Sequence, residues 1–116
     1  MIRVTDANGA VVCERCRVAD SFWPRLRGLM GRASLSSGEG LLFPRTKYIH
    51  THFMRFPIDV VFRDADGRVV GIERDLRPWR LARRKEAADV LELPAGECDR
   101  VGLGIGSSTI LSVDSA

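Results

Sequence analysis

No stretch of this chain approaches the roughly 20 consecutive apolar residues that a membrane-spanning helix needs, so no membrane span is expected. Gly-rich phosphate loops and the G-x-S-x-G elbow are also missing, and with them the usual signatures of nucleotide and serine-nucleophile chemistry. Histidine is scarce, with two residues and no Glu-x-x-His spacing, so neither a metal nor a cofactor is expected. Cysteine is scarce and odd in number; three residues leave one over from any disulfide framework, and a reducing cytosol would keep them thiols. The first residues, Met1-Ile2-Arg3-Val4-Thr5-Asp6, place an acid where a signal peptide has its apolar core, so a cytoplasmic location is expected.

What remains is an ordinary globular composition. The 116 residues suit one domain, 1–116, and 45% hydrophobic content suffices for a core without metal or disulfide help. The net charge of +3 favours encounters with anions but is too small to name one. Sixteen arginines stand against two lysines, a compositional bias rather than a functional signal.

Along the chain, short alternating runs are separated by Gly, Pro and Asp turns, and no repeat or linker interrupts them. Residues 9–18 read as a strand. Asp20 or Ser21 can cap a helix over 21–31, where Phe22, Leu26, Leu29 and Met30 recur at helical spacing. Leu41 to Phe43 is a strand stopped at Pro44; 48–54 and 58–63 are strands broken at Pro57. Asp64-Ala65-Asp66-Gly67 is a hairpin turn into Arg68 to Glu73, and it lacks the downstream glutamate of a calcium loop. Residues 81–88 have helix-forming composition with crowded charge, so no helix is assigned there. Residues 88–93 read as a half-exposed strand, a short helical turn follows Gly96, and 109–113 is the last strand. The expected fold is mainly β, a compact sandwich or barrel of about six to eight short strands with one helix near 21–31.

The segment Tyr48 to Phe62 sets His50, His52, Arg55 and Asp59 inside an apolar run. Buried polar groups cost free energy unless each finds a partner, so these residues make either a site or a structural network. His50 and His52 share a strand face and could bind one metal with Asp59, Glu39 or Glu92; with so few histidines the bland alternative is two ordinary strand residues. Asp59 can pair with Arg25, Arg27, Arg32 or Arg55, or accept backbone N–H groups as a structural anchor. The functional alternative is a pocket of His50, Thr51, Arg55 and Asp59, with Arg25 and Glu39, for a small anionic or polyhydroxy ligand.

Cys13-Glu14-Arg15-Cys16 lies within a predicted strand, where residues three apart face opposite sides, so no redox or zinc role is expected. Arg77, Arg80, Arg83, Arg84 and Lys85 surround Trp79, a pattern that can grip phosphates while the indole stacks on a base. Its bland reading is an exposed loop with Trp79 over a sheet edge.

Taken in order, Arg25-x-Arg27-Gly28-Leu29-Met30-Gly31-Arg32, Gly38-Glu39-Gly40-Leu41-Leu42-Phe43, Ile49-His50-Thr51, Met54 to Phe62, Asp66 to Val70, Pro78-Trp79, Val90 to Gly96 and Gly102-Leu103-x-x-Gly106 resemble the bacterial and archaeal family called domain of unknown function 192. The resemblance covers about residues 18–113. It implies a small, mainly β, jelly-roll-like sandwich or barrel and no assigned activity. Members often carry an aromatic residue then Gly at the positions of His52 and Phe53, which weakens His52 as a family-wide site residue. Many also carry a leader or anchor that this chain is not seen to have.

Three functions stay open. The first is a monomeric binding or accessory module for a small molecule or protein partner. The second is an enzyme with His50 as base oriented by Asp59. The third is a nucleic-acid or polyanion binder using loop 77–85.

Overall fold

The computed structural model describes residues 1–19 and 34–113. The helix expected over 21–31 and the candidate residue Arg25 lie outside them. Nine strands and one short helix make up the described chain: β1 (Ile2–Asp6), β2 (Val11–Val18), β3 (Glu39–Pro44), β4 (Tyr48–His50), β5 (Ile58–Arg63), β6 (Val69–Leu76), β7 (Leu81–Arg83), β8 (Asp89–Pro94), α1 (Glu97–Val101) and β9 (Thr109–Val113). The fold is mainly β, as the alternating runs predict. Seven strands form one sheet in the order β6-β5-β8-β3-β2-β1-β9, and β4 with β7 make a separate two-stranded ribbon.

The sheet curls into a half-barrel. Val4 of β1 and Val69 of β6 share one buried cluster although four strands separate β1 from β6 in the sheet. That is possible only if the sheet wraps around the cluster. At one end the curl nearly closes, where Arg68 bridges Ser108 and the Thr109 N–H donates to the Gly67 carbonyl at 2.8 Å. Strand alternation then splits the core in two. Val61, Leu91 and Leu42 point inward; Val60, Phe62, Val90 and Phe43 point outward, where Ile49 and Ala82 of the ribbon cover them. Each fully buried side chain such as Phe62 contributes about 1.5–3 kcal/mol by leaving water.

The β5–β6 hairpin matches its sequence signal. Asp64 Oδ1 accepts the N–H groups of Asp66 and Arg68, both at 2.9 Å, and Gly67 takes φ 83° against the Thr109 carbonyl, where any Cβ would collide. Buried Arg63 locks this end: it grips Asp89 with two bonds of 2.9 and 3.1 Å and donates to Thr109 Oγ1 at 2.7 Å.

Four expectations differ from the structure. β1 was not foreseen, because a five-residue strand with three polar residues carries little signal. The strand expected over 48–54 ends at His50, since Thr51 turns the chain and its carbonyl accepts the Met54 N–H at 3.2 Å. Within the helix-favouring run 81–88, Leu81–Arg83 is strand, because pairing with β4 overrides local preference. Finally, β2 is bulged: Cys16 pairs with Ile2 and Cys13 with Val4, three residues opposite two. The bulge cancels the strand alternation, so both cysteines face the inner core.

Candidate functional site

Thr51 and Asp59, half of the expected polar pocket, are both buried and fully engaged in structure. Thr51 Oγ1 donates to the Arg77 carbonyl at 2.6 Å and accepts the Arg80 N–H at 2.9 Å, tying loop 51–54 to loop 77–80. Asp59 sits on the inner face of β5. Its Oδ1 accepts the Asp75 N–H at 2.9 Å and its Oδ2 the Cys98 N–H at 3.0 Å, which anchors β6 and the start of α1 to β5. His50 points out of the ribbon instead, and no hydrogen bond joins it to Asp59 among the described residues. The base–orienter pair that the enzyme reading requires is therefore not assembled. Arg55 is exposed, and Glu39 lies at the start of β3 accepting the Ser36 N–H at 2.9 Å. Among the described residues no cluster of three or more His, Cys, Asp or Glu is placed to hold a metal.

The structure gathers a different set of groups. On β4, Tyr48 and His50 face outward while Ile49 faces the core, and opposite them on β7 stand Arg83 and Leu81. Beyond the strand end the same outward row continues through His52. The His50 and His52 rings lie 4.7 Å apart; His52 stacks on Trp79 at 5.2 Å, and Phe53 meets Trp79 edge-on at 4.7 Å. Despite this, Phe53 and Trp79 remain 60% and 55% exposed. Both hold left-handed backbone, φ 67° and 65°, a conformation that costs a non-glycine residue on the order of 1 kcal/mol. Thr51 holds them there: its carbonyl accepts the Trp79 N–H at 3.1 Å, and its hydroxyl braces Arg77 and Arg80 on either side.

Exposed cations occur in the same segments. Arg55, Arg77, Arg80 and Arg83, with Lys85, are exposed. Arg84 is not part of this set, because its guanidinium pairs with Glu73 at 2.8 Å and lies over the Phe62 ring at 5.1 Å. His50 has its pKa lowered, first by burial and then by the neighbouring His52, so the ring is neutral near pH 7. The resulting surface is an array of flat rings beside exposed cations.

Of the expected residues, His50 and Trp79 lie on this face with Arg83 opposite Tyr48, Arg77 and Arg80 are exposed on either side of Trp79 in the chain, and Thr51 ties the two loops together. Reading Tyr48, His50 and His52 as one period-two row would have shown this face. Phe53 joins it only because its backbone turns left-handed.

The comparisons bear on the whole chain. The model of domain of unknown function 192, described as an uncharacterized ACR, matches residues 3–110. A UPF0127 protein of Thermococcus sibiricus is 33% identical over 108 residues, covering 89% of this chain and 70% of that one. A UPF0127 protein of Pyrococcus abyssi is 38% identical over 89 residues, covering 71% and 73% respectively. Among solved structures, a protein of unknown function from Novosphingobium aromaticivorans superposes with TM-score 0.80 at 26% identity, covering 94% of this chain and 82% of that one. A protein from Sinorhizobium meliloti described as a candidate transcription regulator also superposes with TM-score 0.80 at 26% identity, covering 94% and 90%. The chain belongs to the domain of unknown function 192 family, the UPF0127 proteins, for which no activity is established.

Proposed function

We propose that this protein is a binding module whose working surface is the outer face of the β4–β7 ribbon, and that its partner is single-stranded nucleic acid. The observation that carries the reading is the row of rings formed by exposed His50, Trp79 and Phe53 with half-buried His52 between them, strained in backbone at Phe53 and Trp79 and accompanied by exposed Arg77, Arg80 and Arg83. Single strands are held by two things, bases stacked on aromatic faces and phosphates beside cations; stacking contributes about 1–3 kcal/mol per base. A solvent-exposed tryptophan and phenylalanine otherwise gain nothing from the water around them. The description of the Sinorhizobium meliloti protein as a candidate transcription regulator is compatible with this partner class. A double helix presents no free base faces to such rings and binds only through its phosphates.

The test is fluorescence anisotropy of labelled single-stranded RNA and DNA oligonucleotides across a salt series. The wild type binds single strands in preference to duplex, with affinity that falls as salt rises. Trp79→Ala weakens binding about tenfold, as expected for one lost stacking contact. Arg80→Gln with Arg83→Gln weakens it further and flattens the salt dependence. Absence of binding at low salt, or an unchanged affinity for Trp79→Ala, would sink the proposal.

A further inference from the structure

The two histidines of the chain, His50 and His52, are set side by side by the fold. Thr51 between them is fully buried: its N–H donates to the Arg80 carbonyl at 2.9 Å, and its hydroxyl donates to the Arg77 carbonyl and accepts the Arg80 N–H. The main chain that carries both rings is therefore fixed. The ring centroids lie 4.7 Å apart with their planes tilted by 31°, and His52 also stacks on Trp79, which restricts its rotation. His50 Nδ1 accepts the His52 N–H at 3.4 Å, a long bond. Its lone pair is thus turned toward His52 and only weakly engaged.

We propose that His50 and His52 together bind one divalent transition-metal ion of the copper(II) class. His50 Nδ1 is one ligand, a ring nitrogen of His52 is the second, and water fills the remaining positions. Metal–nitrogen bonds of about 2.0–2.1 Å put the centroids of two imidazoles on one ion roughly 4.5–5 Å apart, for bond angles between square-planar and tetrahedral values. The observed 4.7 Å falls in that range, so the rings need little movement to chelate. The surroundings select the ion. Among the described residues no Asp or Glu joins the pair as a third ligand, which disfavours the oxygen-seeking ions magnesium and calcium. Arg77, Arg80 and Arg83, exposed in the adjoining segments, disfavour any cation, and only strong bonds to imidazole nitrogen offset them. Copper(II) forms the strongest such bonds, ahead of nickel(II) and zinc(II). The ion uses nitrogens on the ring edges, whereas the nucleic-acid reading uses ring faces, so neither proposal depends on the other.

The experiment titrates the untagged full chain with copper(II), nickel(II), zinc(II) and magnesium(II) by isothermal titration calorimetry in a non-chelating buffer. The expected result is one copper(II) per chain with a dissociation constant in the micromolar range, weaker nickel(II) and zinc(II), and no response to magnesium(II). The paramagnetic resonance spectrum of the copper complex shows coupling to two imidazole nitrogens. His50→Ala and His52→Ala each weaken copper(II) binding at least about tenfold. Both side chains lie outside the buried clusters, and unchanged unfolding midpoints check that lost binding is not lost fold. A measurement on the wild type alone keeps the test independent of the variants: bound copper(II) protects both histidines from diethyl pyrocarbonate, mapped by mass spectrometry. No copper(II) binding, an affinity unchanged by either substitution, protection of neither or only one histidine, or magnesium(II) bound as tightly as copper(II) would overturn the assignment.

Discussion

The two faces of the sheet treat polar groups in opposite ways. On the inner face, Asp59 receives two backbone N–H groups and Arg63 is bonded to Asp89 and Thr109. On the outer face, Glu92 is as deeply buried, 4% exposed, but its strand neighbours are apolar. It stands between Leu41 and Val60 in the apolar layer beneath the ribbon, and burial pushes its carboxyl up to about 8. The difference teaches where the molecule spends its polar groups. The inner face uses them as anchors that pin strands and helix together. The outer layer holds an acid kept neutral by its surroundings and, above it, exposed rings and arginines that no internal contact requires.

The sharpest way to break the inner side of this comparison is Arg63→Ala. Removing one partner of a buried, bidentate ion pair leaves Asp89 uncompensated, and the expected loss is about 3–5 kcal/mol in denaturant unfolding. Asp59→Ala comes next: it strands the Asp75 and Cys98 N–H groups, for an expected loss of about 2–4 kcal/mol. An unchanged thermal midpoint would show that Asp59 is not an anchor and would return it to the list of binding residues.

The outer side is probed by pH. The folded state holds the Glu92 proton up to about pH 8, whereas the unfolded chain releases it near the ordinary glutamate value of 4.5. The folded state thus binds more protons across that window, and stability falls as pH rises from about 4.5 to about 8. Glu92→Gln removes this dependence. Relative to the variant, the wild type should lose up to about 3 kcal/mol between pH 5 and pH 8 in parallel unfolding titrations. Parallel pH profiles for the two proteins would mean that Glu92 is ionised in the fold and has found a partner.

The smallest expected effect on stability lies at the exposed rings. Trp79→Ala should shift unfolding by no more than about 0.5 kcal/mol, because the side chain is largely in water. A loss of several kcal/mol would reassign the ring row to packing and remove the basis for the binding surface.

Much of the architecture is legible in local sequence. The β5–β6 hairpin follows from Asp64 and Gly67, β5 itself from its apolar run after Pro57, and β9 from Thr109 to Val113; β8 is a strand as expected but buried on both faces between β5 and β3 rather than half-exposed. The identity of the anchor Asp59 is partly legible as well, since an acid in an apolar run must find donors. The candidate surface is half legible: the basic residues and Trp79 stand together in the chain, but Phe53 enters only through a left-handed turn.

The sequence by itself determines the strand segments, the turns and the mainly β class, because these depend on residues a few positions apart. Tertiary structure alone decides four features: the curl that brings Val4 to Val69, the strand state of β7, the bulge that turns Cys13 and Cys16 to one side, and the opposite surroundings of Asp59 and Glu92. Each depends on which distant strand lies alongside. A one-residue change of register moves a side chain from core to solvent, and no local pattern records it.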